Sequence, residues 1–293
     1  MNLPEWLVKA GCLVGRLIPI MHFLRTMPFH IYRILADLPV CHTFRQASRH
    51  CRLSIILISL LSVSIYAFRD AFTDELVLTV KTPLNNKIRC YIKGNSGEKI
   101  LLIGCIHGNE KAGILLSVKV LNEIFAKKEL KNTLILIPTL NPDGNILNTR
   151  ANSNRIDINR NFPSTNWTYS DPSQLKPNKK DYWGGKSPAS EIETKFILRV
   201  DSIFQPGAII ILHQFMDCVQ YDGTGLRLAE FISKRSGQKL MDDIGYSTTG
   251  SIGSYFGDDK RKEVVTIEIP ENPPDSLQQN LINVLIEVIE KGY

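Results

Sequence analysis

The sequence predicts an α/β fold, a three-layer α/β/α sandwich in which helices cover both faces of a mixed central sheet. Residues 101–106 and 208–212 are largely apolar, which is typical of strands buried on both faces. Other segments carry apolar residues at helical spacing and predict helices packed on the sheet. With 293 residues and 43% hydrophobic content, the chain is long enough for one sizeable domain and a smaller segment.

The first predicted elements follow one another closely. Residues 75–82 and 87–93, rich in Val, Leu, Ile and Tyr, predict two strands joined by a turn at 83–86. They lead into the strand that ends at His107. Apolar residues at helical spacing then predict an amphipathic helix over about 110–127.

A fourth strand and a long polar segment come next. Residues 133–138 are β-like, and the Asn-Pro-Asp-Gly sequence at 141–144 is a strong turn signal. Residues 145–188 show little periodicity. Because long loops inside a domain are usually functional, we expect this one to contribute to a site.

The second half of the domain alternates helix and strand. A helix is predicted over 191–202, a buried strand over 208–212 with His213 at its end, and a helix over 226–235. The Tyr-Asp-Gly sequence at 221–223 predicts a loop.

The last strand and helix complete the predicted domain. Residues 264–269 predict a strand that carries Glu268, and residues 276–290 predict a closing helix. Ser276 and Gln279 have the spacing of a capping box.

The charge distribution predicts a membrane segment rather than a nucleic-acid surface. Of the net charge of +6, residues 1–52 hold +5, and the sixteen uncharged residues 53–68 lie between Arg52 and Arg69. We therefore divide the chain into a basic segment, 1–52, a membrane anchor or signal, 53–69, and a catalytic domain, 75–293.

Three interpretations of the hydrophobic run stay open. As a short membrane span it would leave its basic side in the cytoplasm and the catalytic domain on the other side. As a signal peptide it would be cut near Ala67. As a buried helix it would belong to the globular fold.

The six cysteines do not predict a disulfide framework, because they include no CxxC pair and no regular spacing. Cys90 and Cys105 lie in predicted strands and Cys218 in a predicted loop. We expect small buried or free thiols, and one disulfide in an oxidising compartment stays open.

Three residues suggest a catalytic metal site. Beyond residue 68 the chain has only two histidines, His107 and His213, and each follows an apolar strand. Glu110 comes three residues after His107. Two imidazoles and one carboxylate are typical of zinc sites that leave a position open for water, whereas structural zinc is closed by four ligands.

Further polar residues fit such chemistry. Glu268 lies in an apolar strand, where an uncompensated carboxylate is costly, so it suits a general base better than an outward-facing residue at a sheet edge. Arg160 could bind a free carboxylate through two parallel N–H bonds. Arg150 and Arg160 could instead be solvated loop residues. Asp157 could instead cap its loop.

The ordered motifs HGNE, NPDG, TR, DINRNFP, SPASEIE, LHQ, YDG, GSIGSY and TIEIP resemble the zinc carboxypeptidase family, and within it most resemble bacterial murein peptide amidases. The resemblance covers about residues 76–293. It implies that one zinc ion per chain is held by His107, Glu110 and His213, and that Asp157 orients His107.

The same resemblance assigns roles around the metal. It implies that Arg150 steadies the oxyanion, that Asn159 and Arg160 hold the terminal carboxylate of the substrate, and that Glu268 is the general base for a zinc-bound water. The mobile tyrosine of the family has two candidates here, Tyr246 and Tyr255.

The residues that follow His213 indicate a role less clearly. Three residues in this segment could recognise an amine or a side chain of the substrate, or could be turn residues: Asp217, Tyr221 and Asp222.

The implied function is that of a metallocarboxypeptidase that cuts the γ-D-glutamyl-meso-diaminopimelate bond of murein peptides. The alternatives are a general metallocarboxypeptidase, an N-acyl amino-acid deacylase resembling aspartoacylase or succinylglutamate desuccinylase, and an inactive peptidoglycan-binding module. The NPDG and YDG motifs and Ile269-Pro270 favour a peptidase over a deacylase.

Partners and location follow from the same observations. The partners would be a peptide with a free C-terminal carboxylate and the membrane through residues 53–68, without nucleic acid. We expect a domain that is anchored in the inner membrane or secreted to the periplasm. A cytoplasmic location stays open, because murein tripeptide recycling is a cytoplasmic task.

Overall fold

An eight-stranded mixed sheet organises the part of the chain that a computed structural model describes, which is residues 76–242, 245 and 248–293. In chain order the strands are β1 (Leu76–Lys81), β2 (Lys87–Lys93), β3 (Lys99–Gly104), β4 (Thr133–Ile137), β5 (Ala208–Gln214), β6 (Cys218–Gly223), β7 (Lys239–Met241) and β8 (Glu263–Ile269). In space their order is β1-β2-β4-β3-β5-β8-β6-β7.

The four central strands are parallel, and the strand next to them on each side, β2 or β6, runs in the opposite direction. Strands β4, β3, β5 and β8 run parallel to one another, whereas β2 pairs antiparallel with both β1 and β4, and β6 pairs antiparallel with β8. The carboxyl ends of the four parallel strands therefore lie along one edge of the sheet, where open α/β sheets place their ligand sites.

The described residues contain five α-helices, of which the last follows the final strand: α1 (Ala112–Phe125), α2 (Pro142–Leu147), α3 (Ile192–Phe204), α4 (Leu226–Ser236) and α5 (Asp275–Lys291). Shorter helical turns are 3₁₀ at Ile158–Arg160 and Pro177–Tyr182, and a π-helix spans Gly253–Asp259.

The side chains of the central strands alternate between two buried layers. Leu101 and Ile103 of β3 belong to the same apolar cluster as Phe196 of α3. Because successive residues of a strand point to opposite faces, Ile100 and Leu102 face the other side, where α1 packs on β3 and β5. The prediction of a mixed sheet with helices packed on it is confirmed.

The segments 1–52 and 53–69 lie outside the described residues, and so does Tyr246. Across the part that is described, none of the helices combines the length and the apolar character that a membrane crossing requires.

One predicted loop is a strand. Residues 218–223 form β6, paired with β8 so that Cys218 lies opposite Glu268 and Asp222 opposite Val264. The prediction of a loop there was wrong because Gln220 and Asp222 are polar on a face that lines a cleft, which hides the apolar pattern of a half-buried strand.

Two predicted turn and cap features also differ. The Asn-Pro-Asp-Gly sequence begins helix α2, with Asn141 accepting a hydrogen bond from the Gly144 amide at 2.8 Å and Pro142 in the first turn. Helix α5 begins after Pro274 without a side-chain cap, so the predicted capping box at Ser276 was wrong.

The described cysteines agree with the expectation of buried, free thiols. Cys90, Cys105 and Cys218 are buried and unpaired. Burial raises the pKa of the Cys90 thiol to about 12, so it stays protonated at neutral pH.

A buried amide ties the long loop to helix α3. The Asn152 side chain donates to Glu191 Oε2 at 2.8 Å and to Glu193 Oε2 at 3.2 Å. Its own oxygen accepts hydrogen bonds from the amides of Asn154 and Ile156. Asn152 therefore fixes the conformation of the loop between residues 150 and 157, which carries several predicted site residues.

Replacing Glu193 with glutamine should make stability depend less on pH. Burial raises the pKa of Glu193 from 4.5 to about 7. Between these values the unfolded chain is ionised and the folded chain protonated, so stability falls as pH rises, by up to about 3 kcal/mol. We expect Glu193→Gln to avoid that loss, as measured by urea unfolding near pH 5 and near pH 8.

The exposed Glu230 provides the control, because Glu230→Gln should shift the free energy of unfolding equally at both pH values. A Glu193→Gln effect that is the same at both pH values would contradict the assignment.

Candidate metal centre

Three neighbouring strands bring the predicted site residues to one edge of the sheet. His107 follows the end of β3, His213 lies near the end of β5, and Glu268 near the end of β8. In the parallel register His213 is paired with Glu268, and Gly104 at the end of β3 is paired with Leu212. Residues far apart in the sequence therefore meet at the carboxyl edge.

The side chains of His107, Glu110 and His213 form a buried group. His107 Nδ1 lies 2.7 Å from Glu110 Oε1, and His213 Nδ1 lies 2.8 Å from Glu110 Oε2. One ligand atom from each residue lies within 4.8 Å of the others, and all three residues are at least 95% buried. Burial favours protonation of Glu110, but the two imidazoles outweigh it and hold its pKa below the ordinary value.

These donors fit zinc. Both histidines turn Nδ1 inward, and His107 Nε2 lies 3.1 Å from Asp157 Oδ1. That carboxylate keeps the proton on Nε2 and leaves the Nδ1 lone pair for a metal. Two nitrogens and one carboxylate make the three-ligand set that leaves a coordination position open.

Asp157 is fully buried and contacts several site residues. Besides His107, it accepts a hydrogen bond from Arg150 Nε at 3.0 Å and one from the Asn159 amide at 2.9 Å. Burial would raise the pKa of its carboxyl group, but Arg150 and His107 lower the pKa well below its usual range. Asp157 is therefore ionised.

Arg150 reaches from the Asp157 carboxylate towards the candidate metal ligands. Its Nη1 lies 3.7 Å from Glu110 Oε1, and its guanidinium carbon lies 4.2 Å from the ring centroid of Tyr182. Both Arg150 and Tyr182 line the cleft beside the three ligands.

Asn159 and Arg160 line the same cleft. Asn159 Oδ1 accepts a hydrogen bond from the Ile252 amide at 3.0 Å, and its Nδ2 lies 3.4 Å from His213 Nε2. Arg160 Nη1 donates to the Asn159 carbonyl at 2.6 Å. The two residues are thus fixed between the third ligand and the Gly-Ser-Ile-Gly segment at 250–253.

Glu268 has a free oxygen at the cleft. It is 7% exposed, and its Oε2 has no hydrogen-bond partner. Burial raises the pKa of this carboxyl group, and the nearby imidazole of His213 opposes the rise. A buried oxygen without a partner is costly in a folded protein, so such groups call for a functional explanation.

A cleft of about 170 Å³ joins these residues and continues down the face of β6 and β8. Gln220 and Asp222 line it, whereas Tyr221 does not, because alternate residues of β6 point to opposite faces. Asp217 instead accepts a hydrogen bond from Gln238. Of the three candidate substrate-reading residues, only Asp222 therefore reaches the cleft.

The Asp222 carboxylate has close neighbours but no hydrogen bond in the described part of the chain. Gly253 packs so closely that a Cβ atom there would overlap the carboxylate. Burial, together with the Asp258 charge, raises the pKa of Asp222 to about 6.

Of the two tyrosine candidates, only Tyr255 lies in the described residues, and it does not line the cleft. Its ring packs on those of Phe162 and Phe256.

Sequence reasoning missed Tyr182 and Phe215, which also line the cleft. Tyr182 lies in the long loop, where no periodic pattern marks it. Phe215 is 50% exposed and has a φ of 91°, a conformation rare for a bulky residue, which no sequence pattern indicated.

Comparison with known proteins adds to this geometry. The zinc carboxypeptidase family profile matches residues 76–262. Murein peptide amidase A of Escherichia coli K12 is 26% identical over 199 residues, which cover 66% of this chain and 80% of that protein. The amidase A of Vibrio campbellii is 28% identical over 200 residues, covering 67% and 79%.

A solved structure supports the fold. The crystal structure of murein-tripeptide amidase MpaA from Escherichia coli O157 superposes with a TM-score of 0.58 at 24% identity. It covers 71% of this chain and 88% of the other.

Replacing Asp157 with asparagine should weaken zinc binding about 10- to 100-fold, because the neutral amide orients and polarises His107 less well. Competition with a chelator of known affinity measures the change. Asp171→Asn, at a residue that does not line the cleft, is the matched control and should bind zinc like the wild type. An affinity of Asp157→Asn within about twofold of wild type would contradict this assignment.

Proposed function

The chain belongs to the zinc carboxypeptidase family and is a hydrolase of peptide bonds, and from that premise we propose that it releases the C-terminal residue of murein-type peptides. The observation that carries the proposal is the unpartnered Glu268 oxygen in a cleft that also holds three inward-facing metal donors.

In the proposed site His107, Glu110 and His213 hold one zinc ion. When bound, zinc would polarise the scissile carbonyl and lower the pKa of a coordinated water. Glu268 Oε2 would take a proton from the attacking water and deliver it to the leaving amine nitrogen. Its raised pKa suits both steps, since the group must accept a proton and then give it up.

Arg150 would stabilise the negative charge that develops on the carbonyl oxygen. Its guanidinium lies at the cleft, is anchored on Asp157, and keeps Nη atoms near the metal donors. A preorganised cation of this kind stabilises the transition state more than the ground state.

Asn159 and Arg160 would bind the terminal carboxylate of the peptide. Both line the cleft and are held in place by backbone groups, Ile252 N for Asn159 and the Asn159 carbonyl for Arg160. A free carboxylate bound there would align the last peptide bond with the metal and with Glu268, which is how an exopeptidase selects a chain end.

Asp222 would recognise a cationic group on the substrate side chain. Cys218 of β6 is paired with Glu268, and Asp222 lies four residues further along β6, or about 13 Å away. Its carboxylate lines the cleft and lacks a hydrogen bond in the described residues. Meso-diaminopimelate carries a second ammonium group on its side chain, and the relatives are named murein peptide amidases. Lysine would satisfy the same carboxylate.

We place this activity outside the cytoplasm. The uncharged run 53–68, with a charge of +5 before it, favours an anchor or signal that delivers residues 75–293 to the periplasm, where peptidoglycan stems would be trimmed.

The reaction is tested by mass spectrometry of the zinc-loaded full chain incubated with L-alanyl-γ-D-glutamyl-meso-diaminopimelate. We expect release of free diaminopimelate by the wild type, and a loss of at least about 100-fold in kcat for Glu268→Gln, which keeps the shape but cannot accept the proton. Comparison peptides end in lysine or leucine instead.

The comparison peptides and an Asp222→Asn variant separate the alternatives. We expect Asp222→Asn to lower kcat/KM for the diaminopimelate and lysine peptides while sparing the leucine peptide. Equal cleavage of all three peptides by the wild type would indicate a general carboxypeptidase. Intact peptides with zinc bound would exclude the proposal and leave a deacylase, assayed with N-acyl amino acids, or a binding module.

Location is tested by fusing to the chain, after Tyr293, a reporter that is active only outside the cytoplasm. We expect reporter activity with residues 1–69 present and none when they are deleted. Activity of a cytoplasm-only reporter in the same fusion would overturn the proposed location.

A further inference from the structure

Arg150 is held at two places on its guanidinium group. Its Nε donates to Asp157 Oδ2 at 3.0 Å, and the Tyr182 ring lies 4.2 Å from the guanidinium carbon. The third contact, Nη1 to Glu110 Oε1 at 3.7 Å, is too long for a hydrogen bond. The Nε edge and the central carbon of the guanidinium are therefore contacted by different residues.

The bond to Asp157 does not fix the guanidinium plane by itself. A single N–H···O bond lets the planar group pivot, and arginine has many side-chain rotamers to lose. The attraction of Glu110 is shared with the histidines and with any metal they hold. An aromatic face is the partner that restrains a guanidinium plane, because the two flat groups stack.

The residue that follows Tyr182 is held by two hydrogen bonds. Tyr182 ends the 3₁₀ turn Pro177–Tyr182, and the next residue, Trp183, accepts the Asp157 amide at 2.7 Å through its carbonyl oxygen. The indole of Trp183 donates to the Ser170 carbonyl at 2.9 Å. A backbone hydrogen bond therefore joins Asp157 to the residue that follows Tyr182.

We propose that Tyr182 is a positioning residue, whose ring face holds the Arg150 guanidinium in the orientation that meets the charge developing on the scissile carbonyl. The inference rests on the proposed hydrolase function for its kinetic consequence, but not for its geometry. The phenol hydroxyl is not needed, because the contact is made by the ring.

Kinetics of Tyr182→Phe and Tyr182→Leu, each in wild-type and Arg150→Met backgrounds, test the idea in the full zinc-loaded chain. We expect Tyr182→Leu to lower kcat about tenfold with KM within about twofold, since the interaction acts on the transition state. Tyr182→Phe should restore kcat to within about twofold of wild type. In the Arg150→Met background Tyr182→Leu should have no further effect.

Tyr169 supplies the matched control. It lies in the same loop but is 57% exposed and does not line the cleft, so Tyr169→Leu should leave kcat unchanged. The proposal is overturned if Tyr182→Phe is as impaired as Tyr182→Leu, or if the leucine effect persists without Arg150.

A second measurement does not depend on turnover. The Arg150 Nε–H resonance, assigned by its loss in Arg150→Lys, should move when the ring above it is removed in Tyr182→Leu and stay near its wild-type position in Tyr182→Phe. An unmoved resonance in Tyr182→Leu overturns the inference. If the wild type cleaves no peptide, the proposed function fails, and this resonance alone decides whether Tyr182 positions Arg150.

Discussion

The buried carboxylate of Asp157 is the contact on which the rest of the site depends. It bonds to His107, to Arg150 and to the amide of Asn159, so residues with three different proposed roles share one anion. An ionised group in the protein interior is tolerated only when its partners compensate for lost hydration. Asp157 in turn holds those partners in place, so the carboxylate and its partners depend on one another.

The sheet supplies the frame for this arrangement through its register. His213 and Glu268 occupy paired positions on adjacent parallel strands, and the loop after β3 brings His107 alongside. Because the carboxyl ends of parallel strands lie along one edge of the sheet, the backbone arrangement alone brings these side chains close to one another. The long loop then adds its cationic residues over the same edge.

The sequence was informative wherever burial imposes a regular pattern. The central strands are apolar on both faces, and with only His107 and His213 in the domain the metal donors stood out. Strand β6 was missed because its polar residues face the cleft, and Tyr182 because its position depends on how an aperiodic loop folds back. A hydrophobic pattern in the sequence indicates which residues are buried, whereas the positions of β6 and Tyr182 depend on tertiary contacts.

The close packing of Gly253 on Asp222 has a consequence for how this protein can diversify. Gly253 lines the cleft, and the Cβ atom of any larger residue there would overlap the Asp222 carboxylate, which would have to move. If Asp222 recognises the substrate as proposed, this one codon would set the position of the negative charge that the substrate side chain meets. Substrate preference would then evolve at this position without any change in the candidate metal donors.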